Sequence, residues 1–78
     1  MILTAELRDE ISLLLQFDVS SAQAGLKVHS KASPESVAAA KRLFEKGLVD
    51  HVDGGYLTVQ GREAAENLHA AVRKLAVK

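Results

Sequence analysis

In the stretch LKVHSKA, Lys27, His29 and Lys31 recur at every second position, and the next helical pattern carries Lys41, Arg42 and Lys46. Cations gathered in this way can neutralise an anionic partner, phosphates above all. Glu35 and Glu45 interrupt the helical set, so the same residues also read as an ordinary solvated strand and helix face. Other chemistries find less support. His29, His51 and His69 include no i, i+4 pair on one helix, and there is no cysteine beside them, so no metal centre is expected. Ser20, Ser21 and Ser30 lack a nucleophile context such as G-x-S-x-G. The run Asp53-Gly54-Gly55 lacks the Lys and Ser/Thr of a phosphate loop and reads as a hairpin turn. No catalytic residue and no cofactor is expected, and the chain does not read as an enzyme.

A dedicated nucleic-acid binder usually carries a basic excess, and the whole-chain charge here shows none. Lys plus Arg total 10 and Asp plus Glu total 10, so any basic surface must come from segregation of charge and not from excess. With 78 residues the chain reads as one domain, 1–78, whose small core would gain from burial against a second subunit. The hydrophobic fraction of 47% and charged fraction of 26% are those of a folded globular chain. The absence of cysteine suits a reducing cytoplasm. The start MILTAELRDE has neither the basic nor the long apolar region of a signal peptide, and no apolar run is long enough for a membrane span.

Five segments must position these residues. Thr4 caps a helix over about residues 5 to 17, with Leu7, Ile11, Leu14 and Leu15 as its apolar stripe. Ser21 to Ala24 allow one helical turn. Leu26 and Val28 alternate with the cations as a short strand, which must pair with later strands to persist. Ser33 as N-cap, Pro34 at the first helical position and Gly47 as a left-handed stop bound a second helix. Val37, Ala40, Leu43 and Phe44 form its inner face, with Arg42 nearly opposite. A hairpin turning at Gly54-Gly55 would oppose Val52 to Leu57 and His51 to Thr58, with Val52 and Leu57 facing the core. Thr58 caps a last helix, about residues 60 to 76. Its seam of Ala65, Leu68, Val72 and Leu75 reads equally as core or as a dimer surface. Tyr56 reads as packing on the ribbon or as a contact aromatic.

The order of helix, short strand, helix, two-stranded ribbon and helix is that of a winged helix. The positions Leu43, Gly47, Leu48, Val49, Leu57, Thr58 and Gly61 resemble the corresponding part of MarR-type bacterial regulators, over about residues 33 to 68. GLKVHSKA, AAAKRLFEKGLV, DGGYLT and GREAAENL together resemble more closely a small uncharacterised bacterial family often labelled as DNA-binding. The resemblance implies an α+β, mostly α, winged helix-turn-helix-like fold with a short β-ribbon wing and a C-terminal helix. It also implies association with DNA, transcription regulation and a homodimer.

The residues themselves limit how DNA could be read. The start of the second helix, Ser33 to Ala39, carries none of the Arg, Lys, Asn or Gln side chains that read base edges, and the wing carries Asp50 and Asp53. The candidate DNA-binding set is therefore Lys27, Lys31, Lys41, Arg42 and Lys46, holding phosphates weakly and without sequence preference. The alternative is a protein-interaction or dimerisation module of the same fold that binds no nucleic acid.

Overall fold

The computed structural model describes residues 2–20 and 25–77; the turn expected at Ser21 to Ala24 lies outside them. Three helices and three strands follow in the order α1 (Ala5–Leu15), β1 (Leu26–Lys27), α2 (Pro34–Glu45), β2 (Val49–His51), β3 (Gly54–Leu57) and α3 (Val59–Leu75). The fold is α+β and mostly helical, with one antiparallel sheet ordered β1-β3-β2.

Local signals set the helix ends. The Thr4, Ser33 and Thr58 hydroxyls accept hydrogen bonds from the amides of Leu7, Ser36 and Gly61 and so cap α1, α2 and α3. At the end of α2, Gly47 has φ 75°, the Leu48 amide donates to the Leu43 carbonyl and the Gly47 amide to the Phe44 carbonyl. This pairing satisfies two carbonyls that the helix end would leave unpaired.

The core is formed by Leu13, Leu14 and Phe17 from the first helical segment, Ala39, Ala40 and Leu43 from α2, and Val49 from β2. Both helices bury a face rotated from the one their apolar residues suggest. In α1 the buried residues are Glu10, Leu13 and Leu14, whereas Leu7, Ile11 and Leu15 are half-buried. In α2, Val37 and Phe44 are exposed and the small Ala39 and Ala40 face inward, because alanines let α1 approach closely. Arg42, expected opposite the core, instead reaches toward α1.

The hairpin register also differs from expectation. Val49 opposes Leu57 and His51 opposes Gly54, with a one-residue shift between the two pairs. The chain therefore reverses at Val52-Asp53, and Val52 is exposed while Val49 takes the core position. The cause is the third strand. Leu26 pairs with Gly55 and Lys27 with Gly54, so both glycines lie inside the central strand. Gly54 has φ 120°, and a Cβ there would collide with the Leu26 carbonyl.

A tight junction seats α3. The Thr58 hydroxyl donates to the Gly47 carbonyl at 2.5 Å, and the Thr58 amide donates to the Leu48 carbonyl at 3.1 Å. Gly61 is buried directly against Leu48, where a Cβ would overlap the Leu48 carbonyl group. The pattern Gly47-Leu48 … Leu57-Thr58-x-x-Gly61 is thus the seam between α2, the hairpin and α3. Gly61→Ala is expected to cost about 3 kcal/mol or prevent folding, since backbone must move to admit the methyl group. Gly47→Ala meets no neighbour within 4 Å and should cost only about 1 kcal/mol, for its left-handed conformation alone. Urea midpoints of the two variants check this ordering.

Candidate functional site

The cations separate into two groups. Arg42 and Lys46 lie one turn apart on the side of α2 that meets α1, and both are engaged by Glu10. Arg42 Nε donates to Glu10 Oε2 at 2.9 Å, Lys46 Nζ donates to Glu10 Oε1, and the Arg42 guanidinium also donates to the Glu6 carbonyl at 3.2 Å. Glu10 is 4% exposed, the one buried polar side chain among the described residues. Burial alone would raise its pKa. Hydrogen bonds from Lys46 and Arg42, with their charges, outweigh burial and hold the carboxyl below its ordinary value.

Lys27, Lys31 and Lys41 form the second group, and among the described residues none of the three makes an ion pair. β1 and the loop after it carry the first two; α2 carries the third. Two adjoining clefts of about 400 Å³ each share Lys27 and His29. One extends across α2 and the hairpin turn and is lined by Lys27, His29, Ser30, Val37, Ala40, Lys41, Val52 and Asp53. The other runs below β1 toward α1 and includes Lys31. Acidic groups bound this positive region. Asp53 enters the first cleft, and Glu6, Asp9 and Glu35 line a groove around Arg42 at the start of α2.

The remaining polar candidates have local partners. His51 Nδ1 lies 2.7 Å from Asp50 Oδ1, which also accepts from the Tyr56 amide at 2.8 Å. These two hydrogen bonds, the Tyr56 amide first, hold the Asp50 carboxyl below its ordinary pKa. His69 Nε2 lies 3.1 Å from the Phe17 carbonyl and links α3 to the end of the first helical segment. Asp18 is likewise lowered, by hydrogen bonds from the Ser20 hydroxyl and amide. Tyr56 is 49% exposed, and its ring lies beside Gly25 at the edge of β1. Among the described residues no group of three or more His, Cys, Asp or Glu could hold a metal ion, and no helix is long and apolar enough to cross a membrane.

The α3 seam divides along its length. Ala65 is fully buried and Leu68 packs against the core, whereas Val72 is 44% and Leu75 84% exposed.

A family model matches residues 1–76. The chain belongs to DUF5669, a family of unknown function. Neither the curated proteins nor the solved structures compared with it contain a match. Membership in DUF5669 covers α1 through α3, and its description carries no activity, ligand or partner.

Sequence reasoning missed Glu10. Its signal is the spacing to Leu13, Leu14 and Phe17 at i+3, i+4 and i+7, which puts a carboxylate on an apolar stripe. Replacing Glu10 by Gln should cost about 1–2 kcal/mol, because the amide loses two charge-assisted hydrogen bonds while the partly exposed Arg42 and Lys46 regain water. The folded-state pKa lies below the unfolded one. The ionised Glu10 therefore stabilises fully above its ordinary value of 4.5, and this is lost as pH falls through the depressed folded value. Urea unfolding of Glu10→Gln as a function of pH should show a flatter acid limb than that of the unaltered chain.

Proposed function

We propose that this DUF5669 chain is a winged-helix protein of the MarR-like kind that associates with DNA through phosphates, in the cytoplasm and in the service of transcription regulation. Support for the fold comes from the element order and from β1 pairing with the ribbon β2–β3. The observation that carries the DNA reading is the convergence of Lys27, Lys31 and Lys41, which make no ion pair among the described residues, around two adjoining clefts. Flexible ammonium groups hold phosphates as point charges and carry no sequence information. The start of α2 is flanked by Glu6, Asp9 and Glu35, which disfavours its insertion among base edges. Binding is therefore weak, tolerant of sequence and governed by salt. Arg42 and Lys46 act mainly within the fold.

One observation favours a second reading, a protein-interaction or dimerisation module that binds no nucleic acid. The last turns of α3 leave Val72 and Leu75 exposed, with Val77 beyond them. A second copy of the chain could cover this end.

Titration of random duplex DNA at several salt concentrations tests the first reading. Lys27→Ala with Lys41→Ala should weaken binding about equally for unrelated sequences and lower the salt slope by about 0.9 per lost phosphate contact. Arg42→Ala should change stability more than the slope. Tight, salt-resistant binding of one sequence would make the protein a sequence-specific regulator; no binding at low salt would leave the second reading. Sedimentation tests that second reading. Leu75 is exposed, so Leu75→Glu should dissociate a dimer without lowering the urea midpoint of the monomer, and a monomer at high concentration in the unaltered chain would remove the dimer.

A further inference from the structure

Charges of opposite sign sort to the two sides of one ridge. Pro34, Ala38, Lys41 and Glu45, at i, i+4, i+7 and i+11, form the exposed face of α2. On the β1 flank lie the two clefts that hold Lys27, Lys31 and Lys41, with Asp53 as their one carboxylate. On the α1 flank lies the groove of Glu6, Asp9 and Glu35, with Arg42 as its one cation. With His29 neutral, three lysines less one aspartate leave two positive units on the first flank, and three carboxylates less one arginine leave two negative units on the second. Neither the three lysines nor Glu6, Asp9 and Glu35 make an ion pair among the described residues. The ridge between the flanks is partly apolar: Pro34 and Ala38 are exposed, and Val37 beside them is 39% exposed.

We propose that a second copy of this chain docks on this face, the lysine flank of each copy against the carboxylate flank of the other. A twofold axis alongside α2 sets the two α2 helices side by side and parallel. It brings both unlike pairs of flanks together at once, so the dimer closes. The small Pro34 and Ala38 side chains let the helices approach, and Val37 loses water at the contact. The two charge sets match in size, and the chain's formal net charge of zero leaves no overall repulsion between copies. Most of the attraction is between solvated side chains, so the dimer is weak and sensitive to salt. This surface is distinct from the exposed end of α3, and the proposal rests on neither reading above. The dimer covers Lys27 and Lys41, so it excludes phosphate from them.

Sedimentation of the full chain without DNA tests this in about 0.01 M and about 1 M salt, between which the screening length falls from roughly 30 to 3 Å. The unaltered chain should dimerise at low salt, with a dissociation constant at least about tenfold larger at high salt. Lys41→Glu and Glu35→Lys, both at exposed positions, should each weaken the dimer by about tenfold or more, because each cancels one of the two charge sets. An equimolar mixture of the two variants should restore association, since the intact carboxylate flank of one meets the intact lysine flank of the other. A misfolded variant would not be rescued in this way. Leu75→Glu should leave the dimer in place, and ¹H–¹⁵N spectra should shift with chain concentration at the amides of Ala38 and Lys41. The proposal fails if the unaltered chain stays monomeric at millimolar concentration in low salt, or if high salt leaves its dimer intact. It fails equally if the mixture associates no better than either variant alone, or if Leu75→Glu dissociates the dimer while Lys41→Glu does not. DNA binding is measured separately, so either idea can fail without the other.

Discussion

The carboxylate of Glu10 constrains the rest of the molecule. It is buried beside Leu13, Leu14 and Phe17, where an unpaired charge would be prohibitive, so both oxygens must find donors. Those donors are Arg42 and Lys46, more than thirty positions away on α2. Satisfying them fixes how α2 is rotated against α1, and therefore which residues α2 turns inward. Ala39, Ala40 and Leu43 go in; Val37, Lys41 and Phe44 go out. A buried ion pair contributes little net stability against an apolar replacement, but it penalises wrong arrangements heavily. Its value here is selection of one helix pairing, with a surface consequence: Lys27, Lys31 and Lys41, which make no ion pair among the described residues, border the β1 side of α2.

This coupling explains which features could be read from the chain. Helix ends were legible because their causes are local. Thr4, Ser33-Pro34, Gly47 and Thr58 act within three or four residues of themselves, and the structure has caps and stops at those positions. The inner faces were less legible. Glu10 made the true stripe of α1 look polar, and only a partner distant in sequence makes that stripe workable. The hairpin register failed for a related reason. Matching Val52 to Leu57 is the best solution for two strands alone, yet β1 claims Gly54 and Gly55 for a central strand and moves the turn back to Val52-Asp53. The alternation of Lys27, His29 and Lys31 was visible because strand periodicity is local, and all three do border the clefts. The engagement of Arg42 and Lys46 by Glu10 was not visible in any local pattern.

The Gly47 to Gly61 stretch separates fold chemistry from site chemistry. Its recognisable residues are engaged with one another: Thr58 with Gly47 and Leu48, Gly61 with Leu48, Leu57 opposite Val49. A similarity carried by these positions is evidence about how helices and ribbon join. The residues that face the clefts, Lys27, Val37, Lys41 and Val52, lie outside that pattern, so chains could share the junction and differ in everything they bind.

Gly61 gives that separation a mechanical form. Where α3 crosses Leu48, main chain rests on main chain, with no side chain between them to act as a spacer. The tilt of the helix is therefore gauged by peptide groups, which every sequence shares, and not by residue volume. Along the outer face of α3, substitutions can alter charge or greasiness without levering the rod off its seat. A lineage keeping this one contact could redecorate that face repeatedly and still present it at the same angle.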